Sequence, residues 1–163
     1  MAAPVVTLRA VVPERWIDIN GHMNATHYVL VIYDAHVEFT RSIGLGDDYV
    51  ARTQCGKAVI ESHMVYEREI ALGDRIEVRS WLLAVDDKRL HFFHELFNAT
   101  KGGRAATSEQ IDIHIDLRAR RSSPLPDDLR QALRQRVRAN LAQIQPGGVG
   151  GRMRLPVNTW LDA

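Results

Sequence analysis

Within seven residues, Asp18-Ile19-Asn20-Gly21-His22-Met23-Asn24, the chain sets a carboxylate, an imidazole, two carboxamides and a glycine directly before a long apolar-periodic segment. Asn24 is a good N-cap and Ala25 starts the periodicity, so this cluster falls at the mouth of a helix. A helix mouth offers unpaired backbone N–H groups and the positive end of a dipole. Such groups polarise a carbonyl, and a neighbouring carboxylate can attack that carbonyl or deprotonate a water that does. Asp18 is therefore where chemistry is expected. Gly21 fits a positive φ angle. His22 and Asn24 shape the turn and orient water or substrate. The plainer reading of an aspartate before a helix is a cap or turn residue, and His22 is expected to be more architectural than basic.

The elements around this turn follow from periodicity. Val5–Val12, rich in β-branched residues and closed by Pro13, reads as a strand. From Ala25 the spacing of Val29, Ile32, His36, Phe39 and Ile43 predicts a long helix with that buried stripe, ended by Gly44 and Gly46. From Lys57 the period changes to two. Val59, Glu61, His63, Val65 and Glu67 alternate with Ala58, Ile60, Ser62, Met64 and Tyr66. Ile76, Val78, Ser80 and Leu82 share one face of the next strand, Leu90–Asn98 is another, and Gly73-Asp74, Asp86-Asp87-Lys88 and Lys101-Gly102-Gly103 are turns. A final strand sets Thr107, Glu109, Ile111, Ile113, Ile115 and Leu117 on one face and Asp112, His114 and Asp116 on the other. The result is an α+β chain, one long helix against a meander of about five antiparallel strands. Asp127 and Asp128 open a C-terminal helix with the stripe Leu129, Leu133, Val137, Leu141 and Ile144. Residues 1–121 then form the sheet-and-helix domain. Residues 122–163 hold the C-terminal helix, the glycine-rich linker at 147–151 and a tail.

Composition sets the bounds. The 163 residues are 45% hydrophobic and 25% charged, enough apolar material for one core. Lys+Arg 21 against Asp+Glu 20 leaves +1, so the molecule as a whole is no electrostatic partner for nucleic acid. The arginine-rich C-terminal helix carries an apolar seam and no interleaved aromatics, which favours packing on protein over RNA or lipid. Cys55, read as a loop thiol without activating context, is the only cysteine and excludes an internal disulfide. The opening Met1-Ala2-Ala3-Pro4 has no basic n-region and no span of membrane length follows, so a cytoplasmic protein is expected. His91 and His94, three apart on a strand, point to opposite faces, and no metal site is expected.

The segment Asp18-x-x-Gly21-His22-Met23-Asn24-x-x-x-Tyr28 resembles the signature of the 4-hydroxybenzoyl-CoA thioesterase-like family, and Val5–Leu117 resembles its hotdog fold. A finer likeness is to betainyl-CoA thioesterases. It rests on Trp16–Asn24, Glu61-Ser62-His63-Met64-Val65-Tyr66, Asp87–Glu95 and Ala106-Thr107-Ser108-Glu109. Ala25-Thr26-His27 departs from the Asn-rich sequence common in the broader family and leaves the substrate class open. The resemblance implies an acyl-CoA thioesterase in which the acid three positions before the glycine, Asp18, is the catalytic carboxylate. It implies no cofactor, CoA being part of the substrate, and a homodimer or dimer of dimers paired edge to edge.

For a trimethylammonium acyl group the expected seat is aromatic and acidic. Trp16, Tyr66, Trp81 and Phe93 are available, with Glu61 or Glu109, and His63 as a partner for Glu61. Gly21, Met23, Ala25 and Tyr28 complete the substrate-binding set at the helix mouth. Lys88, Arg89, Lys101 and Arg104, in predicted turns, are the candidates for CoA phosphates. Two alternatives stand beside hydrolysis. One is a hotdog hydratase or dehydratase, whose Asp-x-Asn-Pro-x-His type element this turn lacks. The other is a non-catalytic acyl-CoA binding module, which would need no carboxylate at Asp18.

Overall fold

A computed structural model describes residues 5–142 and 146–151. Ile144, the tail 152–163 and the opening tetrapeptide lie outside them. Strand β1 (Val5–Val11) leads through a 3-10 turn (Glu14–Trp16) into α1 (Ala25–Ser42). A short α2 (Asp47–Thr53) precedes β2 (Cys55–Tyr66), β3 (Arg75–Val85), β4 (Arg89–Asn98), β5 (Arg104–Asp116), the two-residue β6 (Arg121–Ser122) and α3 (Asp127–Leu141). All strand pairings are antiparallel, in the order β1-β3-β4-β5-β2 with β6 on β5. The sheet curves around α1, which is the hotdog architecture.

Helix α1 starts where expected, with the Asn24 side chain accepting from the Thr26 N–H at 2.9 Å. Its buried stripe is Tyr28, Val31, Ile32, Ala35, His36, Phe39 and Thr40. Val29, expected in that stripe, is exposed together with Leu30 and Tyr33. The helix is turned so that the Tyr28 hydroxyl meets the Arg68 carbonyl just past β2 and His36 meets His94 and Asp112 in the sheet, which leaves an apolar flank outside. The chain leaves α1 at Gly44, whose φ of +88° suits a residue without a Cβ. Helix α2, to which the sequence periodicity assigns no element, has Asp47 and Asp48 at its positive end as helix-start residues should.

Cys55 begins β2 rather than lying in a loop, and β2 carries the main departure from simple alternation. A bulge between Val59 and Glu61 inserts Ile60 without a partner on β5. Directly paired residues point to the same face. The inner face therefore runs Lys57 and Val59 before the bulge, opposite His114 and Asp112. After it the face runs Ser62, Met64 and Tyr66, opposite Gln110, Ser108 and Ala106. Glu61, His63 and Val65 consequently turn outward.

On β5 the buried face is the polar one. Asp112, His114, Gln110 and Ser108 are buried, while Ile111, Ile113 and Ile115 are only half-buried. On β3, Ile76, Val78, Ser80 and Leu82 are all buried as their alternation predicts.

Helix α3 closes the open end of the core, with Leu133 buried and Leu129 and Val137 against Phe39, Leu82, Leu90 and Phe92. Leu141, expected in its stripe, is exposed, and Asn140 takes the inward position. The Asn140 Nδ2 donates to the Leu82 carbonyl at 2.9 Å, where a bulge interrupts the β3–β4 ladder. Among the described residues no helix is long and apolar enough to cross a membrane.

Candidate active site

The Asp18–Asn24 segment folds back on itself as a tight turn. The Asp18 N–H donates to the His22 carbonyl at 3.0 Å, the Gly21 N–H donates to the Asp18 carbonyl at 2.9 Å, and Ile17 bridges Met23. Gly21 carries φ +80°, and a Cβ there would meet nothing within 4 Å. The glycine is thus required for backbone conformation and not for space. The turn is anchored from below by Met23, which is buried and whose N–H donates to the Ile70 carbonyl at 2.8 Å, and by Asn24, whose N–H donates to Trp16 at 2.8 Å. Trp16 stacks on His27, the rings 5.3 Å apart and 18° from parallel, and braces the first turn of α1.

These anchors aim the Asp18 carboxylate. Its Oδ1 accepts from the Asn20 N–H at 2.8 Å and its Oδ2 from the Asn24 Nδ2 at 3.0 Å. Asn24 thereby caps the helix with one end of its amide and fixes Asp18 with the other. The Ala25 N–H, at the first position of α1, has no acceptor among the described residues. Asp18 and Ala25 line one cleft of about 320 Å³ with Asn20, His22, Met23, Tyr28, Tyr66, Glu67, Arg68 and Glu69. A free backbone donor and a fixed carboxylate on one cleft are what an acyl carbonyl under attack requires.

The walls are aromatic and acidic. Tyr28 is buried, its hydroxyl donating to the Arg68 carbonyl at 3.1 Å, and burial pushes its phenol up from the ordinary tyrosine value. Tyr66 meets it edge to face, ring centres 5.4 Å apart, and is half exposed to the cleft. The His22 Nε2 lies 2.7 Å from the Glu69 carboxylate. Glu67, Arg68 and Glu69 were not singled out from sequence. Their one local signal is position, directly after Tyr66.

The remaining sequence-predicted residues lie elsewhere. Glu61 is exposed on the outer face, away from the cleft. His63 faces outward opposite Glu109. Glu109 itself pairs with the His91 Nε2 at 2.7 Å and accepts from the Gly150 N–H at 2.8 Å. Trp81 and Phe93 form a separate buried cluster with Leu83. The Lys88 Nζ donates to Ser122 at 3.2 Å, Arg89 pairs with Asp86 at 2.7 Å, and Lys101 with Asp74 at 3.2 Å. Arg104 is held by Glu67 at 2.6 Å and Glu95 at 2.8 Å, and the Glu67 hydrogen bond above all raises its already high pKa. Arg104 therefore borders the cleft through Glu67, whereas Lys88 and Arg89 sit at the far end of β4.

A second polar cluster is sealed in the core. The His36 Nε2 lies 2.9 Å from the Asp112 Oδ2, the His36 Nδ1 lies 3.2 Å from the His94 Nε2, and the His94 Nδ1 lies 2.7 Å from the Ser80 hydroxyl. Thr7 follows at 2.9 Å from Ser80, and the Lys57 Nζ approaches Asp112 at 2.9 Å. Burial, with His36 and Lys57 beside it, pushes His94 well below the usual imidazole range against the opposing pull of Asp112. Burial alone would raise Asp112, but His36 and Lys57 hold it below the usual carboxylate range. These contacts, with the Lys57 Nζ also 2.8 Å from the His36 Nε2, link Thr7, Ser80, His94, His36, Asp112 and Lys57 in one hydrogen-bonded chain.

Comparison with known proteins places the chain. Residues 12–133 match the Thioesterase-like superfamily. The chain belongs to that superfamily. It is 34% identical over 158 residues to the betainyl-CoA thioesterase of Pseudomonas aeruginosa, covering 96% of this chain and 98% of that one. It is 37% identical over 118 residues to the L-carnitine dehydrogenase/betainyl-CoA thioesterase of Agrobacterium fabrum, covering 72% of this chain and 24% of that longer protein. A Staphylococcus aureus protein solved in complex with CoA superposes with TM-score 0.84 at 25% identity, covering 96% of this chain and 99% of that one. As a member of this superfamily the chain is an acyl-CoA thioester hydrolase.

Proposed function

We propose that this thioesterase hydrolyses betainyl-CoA, with Asp18 as the group that acts on the thioester. The observation that carries the residue assignment is the pairing, on one cleft, of the doubly anchored Asp18 carboxylate with the free Ala25 N–H at the start of α1. The substrate assignment is supported by the relative that matches over nearly the whole of both chains. In this reading the thioester oxygen accepts from the Ala25 N–H, aided by the helix dipole. Asp18 takes a proton from water as the water oxygen bonds to the carbonyl carbon. When the tetrahedral intermediate collapses, the C–S bond breaks and the proton passes to the CoA sulfur. Direct attack by Asp18 would give an anhydride that water then opens. Single turnover in ¹⁸O-water separates the two, because only the anhydride route can leave label in Asp18.

The edge of the sheet supports a homodimer. Strand β2 has no partner on its outer side among the described residues. Val59, Ile60, Val65 and Tyr66 on it, and Val29, Leu30 and Tyr33 on α1, are exposed. Pairing two copies along β2 would cover this edge and its apolar flank. Tyr66 belongs to both the edge and the cleft, so assembly and site are adjacent. Sedimentation at micromolar concentration should give a dimer or a dimer of dimers, and a monomer alone would refute the pairing. The lone Cys55 suits a reducing, cytoplasmic setting.

The direct test follows free thiol on mixing the protein with betainyl-, aromatic, short-chain and long-chain acyl-CoAs. Betainyl-CoA should turn over fastest. Binding without thiol release across the panel would instead favour the non-catalytic module.

A further inference from the structure

In a betainyl thioester the quaternary nitrogen stands two covalent bonds from the carbonyl carbon. Whatever recognises that cation must therefore border the same cleft as Asp18 and the Ala25 N–H. That excludes Glu61, His63 and Glu109 on the outer face, and Trp81 and Phe93 in their own buried cluster.

Resting on the proposed substrate, we infer that Tyr66 and Glu69 form the seat for the trimethylammonium group and set the specificity of the enzyme. A trimethylammonium has no N–H to donate, so carbonyl and amide acceptors gain it little. An aromatic face and an uncommitted negative charge are what it rewards. Tyr66 supplies the face. Its ring lines the cleft, is half exposed, and is held edge to face against the buried Tyr28. The charge is selected by elimination. Of the cleft carboxylates, Asp18 acts on the carbonyl and Glu67 is engaged at two points by Arg104, at 2.6 and 2.9 Å. Among the described residues Glu69 has only His22, at 2.7 Å, and its side chain stays largely in the open. With Glu67 paired to Arg104, two acids, Asp18 and Glu69, remain against the single guanidinium of Arg68 among the described residues of the cleft, a balance that suits a cationic acyl group better than an anionic one. His22 gains a role from the same geometry as the positioning residue for Glu69.

The test compares betainyl-CoA with 3,3-dimethylbutanoyl-CoA, in which carbon replaces nitrogen at nearly constant shape. The full chain should prefer the cationic substrate in kcat/KM by about thirtyfold. Tyr66→Leu should lower betainyl-CoA by about tenfold more than the neutral thioester, and Tyr66→Phe should keep the preference to within about threefold. Glu69→Gln should cut the preference by roughly threefold to tenfold. A wild-type ratio near one overturns the inference, as does equal loss of both substrates in Tyr66→Leu. Turnover of the neutral thioester reports on the hydrolase itself, so failure of the seat and failure of the enzyme assignment read differently.

Discussion

Helix α1 carries two polar clusters, one at its mouth and one at its middle, built on opposite terms. At the mouth a single carboxylate, Asp18, is held by two neutral donors and open to a cleft. At the middle, His36, His94, Asp112 and Lys57 place a full set of acid and base types within hydrogen-bond reach, yet His36, His94 and Asp112 are fully buried. The richer cluster holds more chemistry on paper and less in fact. Apart from the Asp112 Oδ1, its oxygens and nitrogens find partners inside the core, and they register α1 against β2, β4 and β5. The proposed hydrolysis needs a group both fixed and reachable, and of these two clusters the mouth has one.

The contrast breaks most sharply under substitution. Asp18→Asn keeps size but has one acceptor oxygen where the carboxylate has two, so it gives up one of the two hydrogen bonds; turnover should fall by about 10²–10⁴-fold while stability falls by only about 1 kcal/mol. A variant that keeps near-normal thiol release would remove Asp18 from the mechanism. Asp112→Ala should do the reverse. It leaves the half-buried Lys57 and the buried His36 facing a vacancy and should cost about 3 kcal/mol in chemical denaturation, with kcat per folded molecule little changed. If Asp112→Ala were as stable as the parent, the core cluster would not be the brace described.

Acid separates the clusters next. His94 is held neutral in the fold, so below about pH 6.5 the unfolded chain binds a proton that the folded chain refuses. Stability from this group is intact above that pH and falls below it, by up to about 1.4 kcal/mol per pH unit. Asp112, with its lowered pKa, adds loss in the same direction only as pH drops below the ordinary carboxylate range near 3.8. Urea melts of the parent and of His94→Gln between pH 7.5 and 5.5 should show a steeper acid loss in the parent. Parallel pH curves would show that His94 does not titrate on unfolding. The smallest effect belongs to Asn24→Ala, which removes the cap for about 1 kcal/mol and frees the Asp18 Oδ2. Its kcat should drop several-fold with KM nearly constant, and an unchanged kcat would mean that the cap does not position the acid.

The same contrast explains what could be read from sequence. The mouth is local. Asp18, Gly21, Asn24 and Ala25 act within eight residues, each in the role its type favours, so cap, turn and cleft carboxylate were visible in order. The strands were visible by period, and hydrogen-bonded partners on β3 and β4 followed from short turns. The core cluster was not visible, because Asp112 meets His36 across 76 positions. A buried aspartate without its partner in view reads as a solvent-facing one. Hydropathy offered the wrong face of β5 for the same reason, since Ile111, Ile113 and Ile115 look like core beside Asp112 and His114. Glu61 was misplaced by the bulge, which no residue type announces. On the outer face Glu109 found His91 and the Gly150 N–H, again a long-range meeting.

The unpaired Ile60 makes β2 two half-strands out of phase, and the cleft inherits that phase. Were Ile60 instead taken into the ladder opposite Ile111, each side chain of 61–66 would rotate by half a turn, Tyr66 would leave the cleft and Val65 would take its place beside Tyr28. Removing Ile60 would leave Val59 opposite Asp112 and Glu61 opposite Ile111, so the facing of 61–66 would survive the loss of the bulge.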